Sequence, residues 1–192
     1  MLPIKPRKPL GQNFINDSQI INQICSIIIQ KIEKTTQIFN ITNFDILEIG
    51  ASYGIISFNI LNQLVLKNIN FNSFLLNEID YRLIKKLETK IESNTITKEL
   101  FRNQKIKIIN SPFQNIDLEK FNNLIIIGNI PFYITGKVLR KIIDYNKNLK
   151  LVVLNLQKEV VDKIRSQNNA QSIILNMICL LYTSPSPRDR QK

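Results

Sequence analysis

The chain has 192 residues, 44% of them apolar, which gives a prior of one domain or slightly more. Lys and Arg number 26 against 15 Asp and Glu; the net charge of +11 favours a polyanionic partner and opposes an acidic substrate surface, although lysine is also what an A/T-rich genome encodes. The absence of histidine excludes His-based catalysis and Cys/His zinc sites, no metal is expected, and two scattered cysteines, Cys25 and Cys179, fit a reducing compartment rather than a disulfide framework.

In chain order, residues 1–10 are basic and proline-rich and lack the apolar core of a signal peptide, so the plain reading is a solvated arm. Asp17-Ser18 can cap a helix through Ile20, Ile21, Ile24, Ile27, Ile28 and Ile32, whose spacing is helical and most simply core. Strands are predicted near 45–49, 71–77, 105–109, 124–128 and 150–156, and helices near 55–66, 81–92, 135–145 and 158–167. Residues 67–72 and 92–104 read as polar connections. Alternating buried strands and helices imply an α/β fold, a parallel sheet with helices on both faces. There is no internal repeat, and no apolar stretch reaches transmembrane length.

Three strand ends carry chemistry. Five glycines serve the whole chain, and two of them, Gly50 and Gly54, follow the first strand in Glu48-Ile49-Gly50-Ala51-Ser52-Tyr53-Gly54. A chain this poor in glycine spends it where backbone turns sharply or a ligand approaches closely. Ser52 at the middle position departs from the dinucleotide fingerprint and leaves the looser E-x-G-x-x-x-G pattern of S-adenosylmethionine sites. The second strand ends in Asn77-Glu78-Ile79-Asp80, where Glu78 is placed to accept from a ribose diol and Asp80 to cap the next helix; the bland alternative is two solvated loop carboxylates. The fourth strand ends in Gly128-Asn129-Ile130-Pro131-Phe132. That phrase is either a ligand-binding strand end or an ordinary turn.

These motifs resemble those of a known family. Leu10-Gly11-Gln12-Asn13-Phe14-Ile15-Asn16-Asp17 is similar to the G-Q-N-F-L-x-D signature of the ribosomal RNA adenine dimethyltransferases. Glu48-Ile49-Gly50, Glu78-Ile79-Asp80, Gly128-Asn129-Ile130-Pro131-Phe132 and Leu156-Gln157-Lys158-Glu159-Val160-Val161 resemble the later motifs in the right order. The resemblance runs from about Lys8 to about Ile178. It implies a Rossmann-like class I S-adenosylmethionine-dependent methyltransferase that dimethylates the exocyclic amines of two adjacent adenosines near the 3′ end of small-subunit rRNA. The implied partner is the 3′-terminal hairpin of that rRNA. A monomer without a membrane anchor is expected, in the cytoplasm or, in a eukaryote, an organelle matrix.

The resemblance also implies roles. Asn13, Ile15, Gly50, Glu78, Pro112 and Asn129 take the cofactor positions. Asn129, Ile130, Pro131 and Phe132 take the catalytic ones. The Asn129 side-chain oxygen and the Ile130 carbonyl would accept the two amine hydrogens, Pro131 would fix the turn, and Phe132 would stack on a flipped-out base. One position departs. Relatives carry Gly-Asp-Ala after the third strand, the Asp taking the cofactor's adenine amine; here the stretch is Asn110-Ser111-Pro112-Phe113, and Ser111 is a candidate replacement. Two alternatives remain: the sister enzymes that methylate large-subunit rRNA and confer macrolide resistance, and a non-catalytic RNA-binding assembly or transcription factor of the same family.

The end of the chain changes composition. Leu180 to Asp189 resembles the translation of a transposon-type sequencing adapter. Residues 179–192 therefore read as a non-native tail, with a genuine disordered tail as the alternative. Residues 1–16 read as the basic arm and 17–178 as an incomplete catalytic domain. On this reading the family's closing antiparallel strands and C-terminal helical domain are missing, and 150–156 becomes an exposed sheet edge.

Overall fold

The computed structural model describes Arg7, Ile15, residues 17–166 and the backbone of 179–184. Asp17 starts the first helix, α1 (Ser18–Ile38), by accepting from the amides of Gln19 at 2.8 Å and Ile20 at 3.2 Å. Ile21, Cys25, Ile28, Ile29 and Ile32 form its buried stripe. The chain leaves α1 through Asn40 at φ 49°, a left-handed conformation that Asn tolerates.

The remaining elements are β1 (Asp45–Ile49), α2 (Ile55–Leu66), β2 (Ser73–Asn77), α3 (Tyr81–Glu92), α4 (Thr95–Arg102), β3 (Ile106–Ile109), β4 (Leu124–Asn129), α5 (Phe132–Asp144), β5 (Leu149–Gln157), α6 (Lys158–Ser166) and β6 (Cys179–Ser184). The sheet order is β3-β2-β1-β4-β5-β6, and every pairing is parallel. Successive strand residues point to opposite faces, so each strand feeds two cores. Ile46, Phe74, Leu76, Ile125, Ile127 and Val153 pack with α1, α2 and α3. Leu47, Ile49, Leu75, Ile126, Val152 and Leu154 pack with α5, α6 and the turn after β3. Strand order reverses between β1 and β4, which opens a crevice at their carboxyl ends.

Three expectations are corrected. Residues 92–104 are not only connection: α4 lies there, capped by the Asn94 side chain on the Thr97 amide at 3.1 Å. Thr97 is its one buried residue, with Leu100 and Phe101 packed at the core margin, too short a stripe for periodicity to reveal. The fifth helix starts at Phe132, not 135, because Pro131 has the φ of −59° that leads straight into a helix. Finally, β5 is not an edge. Residues set aside as foreign form β6 and pair with it from Val152–Cys179 to Gln157–Ser184. Cys-Leu-Leu-Tyr-Thr-Ser is rich in strand formers, and an open row of amides and carbonyls pairs with such a segment whatever its origin.

Candidate active site

The crevice is a cavity of about 340 Å³ walled by the ends of β1, β2, β3 and β4. After β1 the backbone turns through Gly50 at φ 73°, Ser52 at φ 54° and Gly54 at φ 70°. The amides of Gly50 and Ala51 both donate to the Asn77 carbonyl at 2.9 Å, which ties this loop to β2. A Cβ on Gly54 would lie 2.2 Å from the Phe58 ring and 2.8 Å from Leu87, so the position needs glycine for space as well as for φ. Ser52 takes a left-handed conformation without that freedom, at a cost of roughly 1–2 kcal/mol.

Two buried carboxylates face the cavity. Glu78, 6% exposed, accepts from Ser52 N at 2.9 Å through Oε2, and from Ile79 N at 2.8 Å and Asp80 N at 2.9 Å through Oε1. Burial pushes its carboxyl above the ordinary range and outweighs those three amides, which pull the other way. A carboxylate offers about four acceptor sites, so one remains on Oε2. Asp80 caps α3 and pairs with Arg82 at 2.6 Å. Glu48 on β1 is 3% exposed, takes a hydrogen bond from Ser57 Oγ, and is pushed by burial up to about 8.

At the β4 end, Asn129 closes the strand and lines the cavity. Its Oδ1 accepts from Asn155 Nδ2 on β5 at 2.9 Å, and the Ile130 amide donates to the Asn155 carbonyl at 3.1 Å. Gly128 permits this: a Cβ there would lie 2.8 Å from Ile130 Cδ1 and 3.0 Å from the Ile49 carbonyl. Pro131 lines the cavity; the Ile130 side chain is in the core, and Phe132 is 65% exposed at the first turn of α5, edge-on to Tyr133 at 6.3 Å. Tyr133 lines the cavity.

At the β3 end, Pro112 lines the cavity together with Phe113 and Gln114. Ser111 does not; its Oγ donates to the Pro112 carbonyl at 3.3 Å. Lys141 of α5 braces this turn, donating to the Gln114 carbonyl at 2.6 Å and to the Ile116 carbonyl, with its ammonium 5.4 Å from the Phe113 ring. Among the described residues, two buried side-chain polar atoms have no hydrogen-bond partner, Ser52 Oγ and Gln114 Nε2; both residues line this cavity.

The structure therefore brings Ile15, Gly50, Glu78, Pro112, Asn129 and Pro131 to one cavity, with Ile130 and Phe132 adjoining it. Asn13 lies outside the described residues. Sequence reading did not single out Gln114, Tyr133 or Asn155, and used Glu48 only as part of a pattern. Asn155 carried a signal, a carboxamide interrupting the buried run of β5.

Strand order, all-parallel pairing and a glycine turn after β1 make a Rossmann-like sheet, the frame that class I methyltransferases share. Solved structures agree on the fold. A dimethyladenosine transferase from Plasmodium falciparum superposes with a TM-score of 0.58 at 17% identity, over 86% of this chain and 52% of that one. A plantazolicin methyltransferase reaches 0.50 at 14% identity, over 88% and 61%. The sequence matches the family Ribosomal RNA adenine dimethylase across residues 4–180, and the chain belongs to that family. It is 33% identical over 168 residues to the Ribosomal RNA small subunit methyltransferase A of Mycoplasmopsis synoviae, covering 86% of this chain and 54% of that protein. To the protein of the same name from Mesomycoplasma hyopneumoniae it is 33% identical, over 83% and 51%. The chain spans about half the length of these relatives.

Proposed function

We propose that this chain carries the catalytic part of an S-adenosylmethionine-dependent enzyme that dimethylates two adjacent adenosines near the 3′ end of small-subunit rRNA. The observation that carries the reading is the position of Asn129: the carboxamide at the end of β4 shares one cavity with the Gly50 turn and Glu78. The names of the relatives, all small-subunit enzymes among those compared, favour this substrate over large-subunit rRNA.

The cavity residues fit the cofactor. Glu78, whose carboxylate takes three backbone amides, faces a ligand that carries a sulfonium and an ammonium, and Glu48 adds a buried protonated carboxyl to the wall. The remaining acceptor site of Glu78 suits a ribose hydroxyl, and Ser52 Oγ and Gln114 Nε2 are polar atoms awaiting partners. Gly50, Ile15 and Pro112 would complete the wall. When bound, S-adenosylmethionine supplies a methyl group on a good leaving group, so the chemistry needs neither a metal nor strong acid–base help.

What the chain supplies is position and electrostatics. An adenine amine is a poor nucleophile because its lone pair is delocalised into the ring. Asn129 Oδ1, oriented by the Asn155 amide, would accept an amine hydrogen. The Ile130 carbonyl would accept the second. Two acceptors stabilise charge as it develops on nitrogen. Phe132, exposed at the start of α5, offers a face for a flipped-out base. The proton then leaves to water.

The test is transfer of tritiated methyl groups to small subunits lacking the modification, using the chain alone and the chain continued after Ile178 by the C-terminal half of a relative. Dimethyladenosine in the 3′-terminal hairpin is expected. Incorporation into large subunits instead, or none with either protein, would reject the reading.

A further inference from the structure

We propose that Gln114 reads the adenine of the cofactor, in the role that Pro112 cannot perform. The inference rests on the methyltransferase reading above and deepens it. The cavity runs from the Gly50 turn after β1, past Glu78 after β2, to Pro112, Phe113 and Gln114 after β3. If the carboxylate after β2 takes the ribose, the base lies beyond it, at the β3 end. Apolar groups wall that end, namely Ile79, Leu83 and Phe113. A base held there needs polar recognition at its edge. Proline offers neither a side-chain acceptor nor an N–H. Ser111 is turned away onto the Pro112 carbonyl.

Gln114 remains. Its Nε2 is buried and has no partner, a condition that proteins rarely leave uncorrected. Its backbone is not loose: the Lys141 ammonium holds the carbonyls of Gln114 and Ile116 from behind. A carboxamide sets an acceptor beside a donor. Adenine sets an amine donor beside a ring-nitrogen acceptor. The two edges match in bidentate fashion, as they do where Asn or Gln reads adenine in nucleic acids. A carboxylate could only accept from the amine. Gln114 would also donate to the ring nitrogen, so it would sense an atom that an acidic residue ignores.

That difference is the test. S-adenosylhomocysteine and its 1-deaza and 7-deaza analogues, each lacking one ring-nitrogen acceptor, are titrated calorimetrically into the wild-type chain, Gln114→Met and Gln114→Glu. Wild type should discriminate against one of the two analogues roughly ten-fold, the order expected for a bidentate contact. Gln114→Met should bind the parent ligand roughly ten-fold more weakly and lose the discrimination. Gln114→Glu, nearly isosteric and still an acceptor, should also lose the discrimination. Gln114→Met binding the parent as wild type does, or either variant keeping the wild-type discrimination, would overturn the assignment of Gln114. A wild-type chain that binds none of the three ligands would remove the methyltransferase reading itself.

Discussion

The β4 and β3 ends of the sheet open on the same cavity and are built in opposite ways. At the β4 end the proposed catalytic carboxamide is locked: Asn129 is held by Asn155, the Ile130 amide is hydrogen-bonded to the same residue, and Gly128 leaves no room for a side chain. At the β3 end the wall is a proline, Pro112, and the neighbouring Gln114 has a buried Nε2 without a hydrogen-bond partner. The physical difference is one of scale. A group that acts on the transition state loses rate by orders of magnitude when displaced. A neutral hydrogen bond that only holds a ligand contributes about 0.5–1.5 kcal/mol and can be moved to another residue. Recognition can therefore drift where reaction geometry cannot.

Variants at the two ends sharpen that contrast. Asn129→Ala should lower single-turnover methyl transfer by roughly 10²–10³-fold, the range for losing one preorganised group, while cofactor affinity stays within a few-fold. An equal loss in binding would erase the distinction between the ends.

Between them, Glu48 gives a signature in pH. The folded chain keeps its proton up to about 8, while the unfolded chain releases it near 4.5. The folded state thus holds more protons across that window, and stability should fall as pH rises through it, by on the order of 1 kcal/mol per pH unit. Denaturant titrations from pH 5 to 9 would show the slope, and Glu48→Gln should flatten it.

Glu78→Ala should weaken cofactor binding by roughly 1–3 kcal/mol in calorimetry and leave three amides without their acceptor. Unchanged affinity would remove Glu78 from the ribose site. Asn155→Leu should cut turnover by about ten-fold without moving the cofactor Kd, because a carboxamide losing its hydrogen-bonded partner loses roughly 1 kcal/mol of orientation. Asn155→Gln should recover part of it. The smallest effect belongs to Pro112→Asp. It should tighten cofactor binding by no more than about 1.5 kcal/mol, and more in a Gln114→Met background than in wild type.

Much of this was legible in the sequence, and what was not has a common cause. The run Asp45–Ile49, the turn glycines and the Asp80 cap announce themselves through composition and spacing, which are local. The α2 and α3 boundaries follow from such signals to the residue. Gln114 and Asn155 are different. Each is an ordinary polar residue until tertiary structure sets it near Pro112 or opposite Asn129. α4 hid because one buried threonine makes no periodicity. The pairing of β6 hid because an edge accepts a partner by backbone alone, which residue identity scarcely reports.

The placement of α5 has a consequence for how ligands sense each other. At its first turn Phe132 and Tyr133 stand at the β4 end; about two and a half turns later Lys141 grips the carbonyls behind Gln114. One helix about 20 Å long thus touches both ends of the cavity and cannot shift at one without pulling on the other. On the proposed function, a displacement of α5 by an incoming base would carry a free-energy term for the cofactor, and linkage would make that term the same in both directions. Cofactor and RNA would then need no shared contact to bind cooperatively, because the same helix meets both.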